Sequence, residues 1–355
     1  MRSVLTVIGA RPQFIKASVV SQAIKSHADL REVVIHTGQH FDENMSDVFF
    51  RQLGISPPSY QLHIHGGSHG EMTGRMLIEI EKIVLQEKPD RMLVYGDTNS
   101  TLAGALIAAK LHVPVAHVEA GLRSFNMRMP EEVNRILTDQ VSDILFCPTN
   151  AAVKNLNDEG FSHKQGVRLL QVGDVMQDSA MFFGARAHGV AMPEIPEEFI
   201  LATIHRAENT DDPQRLTGIV SALNRIHSSI ASVVLPLHPR TRGVIARLGV
   251  ELKAHVIDPV GYLEMIHLLR RTQLVLTDSG GVQKEAFFFG KACVTMRDQT
   301  EWVELVDAGV NVLVGADEEA IVTQVRANLG RVVTDECQLY GGGKAAQRIA
   351  DVLAE

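Results

Sequence analysis

The chain has 355 residues, 45% of them hydrophobic and 21% charged, the balance of a folded globular protein with no room for a long disordered tail. A formal net charge of −8 excludes a surface built to coat nucleic acid, because that needs a basic excess to displace counterions from phosphates. Cys147, Cys293 and Cys337 are far apart and form no CxxC pair, which suggests neither a zinc site nor a disulfide framework and fits a reducing cytoplasm.

The first predicted element is a strand in "MRSVLTVIGARP", whose apolar stretch from Val4 to Ala10 ends in Gly-Ala-Arg-Pro instead of a small-residue cleavage site. Further strands are predicted in "EVVIHTG", "RMLVYGD", "VPVAHVE" and "DILFCPT", with helical patterns between them. The apolar tract "LAGALIAA" stops at Lys110 and is far shorter than the roughly 20 residues that cross a bilayer, so no membrane anchor is expected. The segment "RLLQVGDVMQD" reads as a separator, and "MPEIPEEF" as a proline-rich lead into a second series: "FILATIH", "ASVVLPLH", "HVIDPVG", "QLVLTDSGG" and "KACVTMRD". Most of these runs are apolar nearly throughout, as strands covered on both faces must be. The chain therefore reads as α/β, with two Rossmann-like parallel-sheet domains facing a cleft, one over 1–172 and one over 173–339. In "YGGGKAAQRIADVLAE", apolar residues at helical spacing predict a terminal helix within 340–355.

Ligands of open parallel sheets bind beyond the carboxyl ends of the strands, so the polar residues there are the candidates. Asp97 in "GDTNST" precedes a good helix and reads equally as an N-cap. It gains weight beside Glu119 after "VPVAHV" and Glu131 in "MPEEVNR", since several carboxylates at one sheet mouth can hold different protonation states and do acid/base work. The alternative is a solvated loop with Arg123, Arg128 and Arg135 as surface partners, and Glu132 is assigned to that alternative. "DSGGVQKEA" opens a helix after a strand, so Ser279, Gly280 and Gly281 could cradle a diphosphate on backbone amides, or simply make a tight turn. Glu285, one turn in, could accept hydrogen bonds from ribose hydroxyls. His205 in "TIHRAEN" and His238 in "LHPRTR" repeat a strand-end histidine and favour phosphate recognition over a structural role. His63, His65 and His69 in "HIHGGSHG" lack the carboxylate and helical spacing of a zinc motif, and no cofactor or metal is expected.

With "GARPQFIK", "TGQH", "YGDTNST", "HVEAGLRS", "MPEEVNR", "HRAEN", "LHP", "DSGGVQKEA" and "RDQTE" in this order, the sequence closely resembles the non-hydrolysing UDP-N-acetylglucosamine 2-epimerases, through nearly the whole chain. The resemblance implies the glycosyltransferase-B type of fold, with the C-terminal helix crossing back onto the first domain, and a homodimer. It implies inversion of C2 of a UDP-linked 2-acetamido sugar by anti elimination of UDP to a glycal and re-addition, with no cofactor or metal. On the matching residues it makes Asp97, Glu119 and Glu131 the acid/base set, and His205 a stabiliser of the departing diphosphate. Arg11, Lys16 and Arg135 would lie near diphosphate and sugar, and Ser279, Gly280, Gly281 and Glu285 would hold the nucleotide.

Two segments depart from the family. "TEWVE" at 300–304 keeps Glu301 but has Trp302 and Val303 where "TERPE" is familiar, and "TGQHFDENMSDVFF" is not the "QHR" form associated with substrate activation. Both departures resemble the branch acting on UDP-2,3-diacetamido-2,3-dideoxy-glucuronate, in service of bacterial surface polysaccharides; plain UDP-N-acetylglucosamine is the alternative substrate. A C6 carboxylate would want a cation, for which Arg75, Arg123 and Arg128 are candidates. A hydrolysing epimerase, a glycosyltransferase or a silent nucleotide-sugar sensor are the competing readings, and the carboxylates with His205 speak against them.

Overall fold

The computed structural model describes residues 1–39, 57–187, 190, 192–336 and 338–355, without the side chain of Arg11. The chain divides into two compact units, Met1–Ser179 with Gln338–Glu355, and Ala180–Cys337.

The first unit is built on seven parallel strands: β1 (Arg2–Ile8), β2 (Leu30–His36), β3 (Tyr60–Gln61), β4 (Arg91–Tyr95), β5 (Val115–Val118), β6 (Ile144–Cys147) and β7 (Arg168–Gln171). Their order is β3-β2-β1-β4-β5-β6-β7, with Leu5 of β1 in register with Val33 on one side and Met92 on the other. The central strands are buried along most of their length, which is why they read as continuous apolar runs.

Helices α1 (Arg11–Ser26), α2 (His69–Glu87), α3 (Asn99–Lys110), α4 (Pro130–Val141), α5 (Asn150–Asp158) and α6 (Val175–Arg186) follow in chain order. Pro12 and Pro130 sit in first turns, where a missing N–H costs nothing. Thr98 caps α3 by accepting from the Thr101 amide, and Thr149 caps α5 in the same way. Leu5, Val7, Ile35 and Val94 pack with Met76 and Ile80 of α2 and Ala105 of α3 into one core.

The second unit has six parallel strands: β8 (Ile200–Thr203), β9 (Val233–Pro236), β10 (His255–Ile257), β11 (Leu274–Thr277), β12 (Cys293–Thr295) and β13 (Asn311–Leu313), in the order β10-β9-β8-β11-β12-β13. Its helices are α7 (Ala207–Thr210), α8 (Pro213–Ser229), α9 (Pro239–Leu248), α10 (Tyr262–Arg271), α11 (Gly280–Phe288), α12 (Val303–Asp307) and α13 (Glu318–Asn328). The core joins Ile200, Ala202 and Leu235 of the sheet to Ile219 and Leu223 of α8 and Ile321 and Val325 of α13.

The last helix, α14 (Ala345–Ala354), belongs to the first unit and packs on α1. Asp178 receives its first free amides, from Ala345 at 3.2 Å and Ala346 at 2.8 Å. Burial nonetheless pushes the Asp178 carboxyl above the ordinary aspartate range. Among the described residues no helix is long and apolar enough to cross a membrane.

The stretch "RLLQ" corrects one expectation: instead of separating two domains it forms the edge strand β7 of the first sheet, paired with β6. Its residues are only partly buried, so the apolar signal of a central strand is missing. The two-residue edge β3 and the edge β13, buried only at its first residue, also escape the sequence reading.

In each sheet the strand order reverses once, between β1 and β4 in the first unit and between β8 and β11 in the second. Such switch points open a crevice at the carboxyl ends of the strands, and the candidate residues collect there.

Candidate active site

In the first unit, the turn after β1 and the turn after β4 are bound together by Gln13. Its carbonyl accepts from the Gly9 and Ala10 amides at 2.8 and 3.0 Å, and its amide reaches the Tyr95 carbonyl at 2.7 Å. A methyl on Gly9 would stand 2.1 Å from Thr37 Oγ1 and 2.2 Å from Ser100 Oγ, so only glycine fits this crossing.

Asp97 follows β4 by two residues and is ion-paired to Arg135 of α4. Asn134 on the same helix donates to the Asp97 carbonyl at 2.9 Å. Glu119 follows β5 directly with φ +74°, a left-handed conformation that costs a non-glycine residue about 1–3 kcal/mol and persists only where neighbours over-determine it. The backbone amides of Glu119 and Ala120 both donate to the Phe146 carbonyl at 3.1 Å, and the Glu119 carboxylate is paired with Lys16. That pair crosses Gly96, whose φ is +64° and whose missing methyl would meet Glu119 Oε2 at 3.3 Å. Glu131 lies in the first turn of α4 and is exposed, a helix N-terminal rather than strand-end position. Its side chain makes no ion pair or hydrogen bond among the described residues.

Glu132 overturns its assignment to a solvated loop. It is fully buried, accepts from the backbone amides of Ser124 and Phe125 at 3.0 and 2.8 Å, and binds Arg135 Nη1 at 2.8 Å. Burial alone would raise its pKa, but these donors and Arg135 outweigh it and hold the carboxyl below the ordinary range. Burial likewise works against the Arg135 guanidinium, and Asp97 and Glu132 more than offset it, so its pKa is raised. Arg123 is not a surface partner either: its side chain is 1% exposed and bridges Asp139 at 2.8 Å and Glu159 at 2.6 Å.

The histidines of "HIHGGSHG" scatter. His63 adopts φ +52°, the His65 carbonyl accepts from Arg75 at 3.0 Å, and His69 Nδ1 lies 3.2 Å from Asn99 Nδ2. Among the described residues no cluster of three His, Cys, Asp or Glu side chains is placed to hold a metal. His40, Cys337 and the stretch "HFDENMSDVFF" lie outside the described residues.

In the second unit the organiser is Asp278, fully buried after β11. It accepts from the backbone amides of His205 and Arg206 at 3.1 and 3.0 Å and from Asn209 Nδ2 at 3.2 Å, and it lies 3.1 Å from His205 Nδ1. Burial alone would raise its pKa; His205, Arg206 and Asn209 together hold it below the ordinary value. The His205 side chain is 51% exposed, so with Nδ1 turned to Asp278 its Nε2 is the edge left for a ligand.

Ser279 caps α11, and Gly280 opens it. A methyl on Gly280 would meet Glu301 Oε1 at 2.2 Å and Arg206 Nη2 at 3.4 Å, while one on Gly281 would meet nothing. Glu301 is bound to Arg297 at 2.9 Å. The indole of Trp302 donates to the Gly280 carbonyl at 2.9 Å, and Lys284 stacks 4.0 Å from its ring centre. Glu285 is buried in α11, contrary to the common exposed helix glutamate. His238 stands apart from this group, after β9, where it is exposed and caps α9 through the Arg240 amide at 3.2 Å.

Sequence reasoning gave no role to Arg206 or His117, noted Asp278 only as a polar residue beyond a strand end, and left Glu132 to the solvated loop. An aspartate two residues past an apolar strand and beside Ser-Gly-Gly was the available sign for Asp278. Nothing local marks Glu132, whose partners are backbone amides of a loop.

The profile of a family described as UDP-N-acetylglucosamine 2-epimerase matches residues 22–354. A Pseudomonas aeruginosa protein named UDP-2,3-diacetamido-2,3-dideoxy-D-glucuronate 2-epimerase is 69% identical over 352 residues, covering 99% of both chains. The crystal structure of Methanocaldococcus jannaschii UDP-GlcNAc 2-epimerase in complex with UDP-GlcNAc and UDP superposes with a TM-score of 0.84 at 40% identity, covering 99% of each chain. That of the Neisseria meningitidis UDP-GlcNAc 2-epimerase bound to UDP-GlcNAc gives 0.86 at 31%, again over 99% of each. With two parallel α/β sheets, a full-length match to the family and full-length superposition on its solved members, the chain belongs to the non-hydrolysing UDP-N-acetylglucosamine 2-epimerases.

Proposed function

We propose that this enzyme inverts C2 of UDP-2,3-diacetamido-2,3-dideoxy-D-glucuronate, acting as a cytoplasmic homodimer. The observation that carries the substrate is the 69% identity over 352 residues to the Pseudomonas aeruginosa enzyme of that name. Of the three arginines suited to a C6 carboxylate, Arg123 is occupied by Asp139 and Glu159. Arg75 leans on Glu71 and the His65 carbonyl. Arg128 is exposed, with no side-chain partner among the described residues, and is our choice for the sugar's acid group.

The chemistry assigned to the residues is an elimination and its reversal. A carboxylate among Asp97, Glu119 and Glu131 removes the C2 proton as the C1–O bond breaks. The bond electrons pass to the β-phosphate oxygen of UDP, leaving a C1–C2 double bond. UDP then adds back to C1, and a proton reaches C2 from the other face by another of the three. The C2 proton is weakly acidic, so removal must accompany leaving-group departure. The charge gathering on UDP is met by donors already oriented where it develops: the α11 amides of Gly280 and Gly281, the Ser279 hydroxyl at their cap, His205 and Arg206. Lys16 and Arg135 hold Glu119 and Asp97 in place, Glu285 faces the ribose, and Arg11 and His238 contribute to phosphate recognition.

Incubation with each UDP sugar in deuterated water tests this reading. Deuterium should enter C2 of both epimers of the uronate substrate, faster than with UDP-N-acetylglucosamine. Epimers that retain protium at C2 would exclude the elimination, and faster turnover of UDP-N-acetylglucosamine would exclude the uronate assignment.

A further inference from the structure

Beneath the first unit's carboxylates lies a buried pair that the mechanism above does not use. His117, on β5, is wholly buried, as is Asp139 on α4. His117 Nδ1 lies 2.7 Å from Asp139 Oδ1, and Nε2 lies 2.7 Å from the Gly96 carbonyl oxygen. A carbonyl oxygen can only accept. The other oxygen of Asp139 takes the Gly121 amide at 3.2 Å and Arg123 Nη1 at 2.8 Å, the environment of an ionised carboxylate, which also only accepts. Both acceptors are satisfied only when both ring nitrogens carry protons. The group then balances as two cations, His117 and Arg123, against two carboxylates, Asp139 and Glu159, which is how buried charge is tolerated.

We propose that His117 is a positioning residue, held as a doubly protonated imidazolium between Asp139 and the Gly96 carbonyl, which fixes the three carboxylate-bearing segments in one frame. Gly96 precedes Asp97, His117 stands two residues before Glu119, and α4, which carries Asp139, carries Glu131. Two further bonds run in parallel, from the Gly96 amide to the Val118 carbonyl at 3.0 Å and from Asn134 to the Asp97 carbonyl at 2.9 Å. From β5, the His117 ring touches both β4's turn and α4. The left-handed backbone of Glu119 needs such a frame, since it is not a conformation that a glutamate adopts unaided.

The positioning role rests on the proposed epimerase reaction; the protonation state does not, and the two are tested separately. Nitrogen NMR of the full chain labelled in histidine, at neutral pH, should show both ring nitrogens of His117 protonated. Assignment comes from loss of that signal in His117→Gln. In Asp139→Asn, which keeps an acceptor but removes its charge, the ring should lose one proton. A wild-type His117 with one bare nitrogen overturns the proposal whatever the activity. In the kinetic arm, His117→Gln should lower kcat and the C2 exchange rate by roughly 100-fold, the scale of a small misplacement of reacting groups, with UDP affinity unchanged. A variant that melts earlier yet turns over normally overturns the positioning role. Wild-type protein inactive on both UDP sugars would refute the function and leave the NMR result standing.

Discussion

The two switch points are built from opposite materials. In the first unit, three carboxylates are matched to cations that the unit itself supplies, Asp97 and Glu132 to Arg135 and Glu119 to Lys16, while Glu131 stands without an ion pair or hydrogen bond among the described residues. In the second, donors point outward: the first amides of α11 at Gly280 and Gly281, the outer edge of His205, and Arg206, whose buried Nε has no hydrogen-bond partner among the described residues. On the proposed reaction, the first arrangement orients the carboxylates that move the C2 proton and the second meets the departing diphosphate. If the proposed function holds, one fold carries a proton-handling edge and a phosphate-handling edge, built from different balances of paired carboxylates and outward donors.

The largest test of that contrast is Glu131→Gln. It should lower kcat by about 100 to 10,000-fold, the usual loss for a general acid or base, while calorimetry finds UDP affinity unchanged. Weaker UDP binding with normal turnover would place Glu131 on the anion side. Gly9→Ala attacks the frame instead, forcing a methyl against Thr37 and Ser100. It should cost about 1–3 kcal/mol of stability, as overpacking does, read as an earlier thermal transition.

A smaller effect is expected at the second unit. Trp302→Phe keeps the ring over Lys284 but loses the bond to the Gly280 carbonyl, worth about 1 kcal/mol, and should weaken UDP about fivefold. Unchanged affinity would make the indole a purely structural prop of α11.

Acid sensitivity separates the regions more finely. Asp278 and Glu132 both titrate below their ordinary values of 3.8 and 4.5. Their stabilising contributions are therefore complete above those values and disappear as pH falls through the lower folded-state values. Asp178, raised by burial, has the opposite sign: its ionisation is a burden that protonation relieves. Unfolding curves measured from pH 6 down to 3 should lose their acid-side slope in part with Asp278→Asn and become steeper with Asp178→Asn. The smallest effect is none. Burial pushes the Cys147 and Cys293 thiols up to about 12, so both should resist alkylation at neutral pH until the chain unfolds.

Most of the architecture was legible because buried parallel strands advertise themselves as apolar runs, and ten of them were read in that way. The short edges β3, β7 and β13 were not, since half-exposed pairing leaves no continuous apolar signal. At the candidate site, the strand-end places of Asp97 and Glu119 were legible, whereas Glu131, read with them at the sheet mouth, lies in the first turn of α4. The roles of Glu132 and Arg123 were not: a buried charge looks like a surface one until its partners arrive, and those partners are loop amides or lie 16 and 36 residues away in sequence. His117 sat in plain view inside β5, a strand buried at every position, where an apolar run offers no hint of what its ring will face.

The return of α14 to the first unit has a bearing on biosynthesis. The first unit is assembled from 1–179 and 338–355, so its final layer emerges from the ribosome only after the whole second unit has been made. Until then the face of α1 against which α14 packs stays uncovered, and the Asp178 carboxylate has no helix to cap. A chain truncated before residue 338 would leave that face open for good, and should be recovered bound to chaperones or in aggregates rather than as free protein.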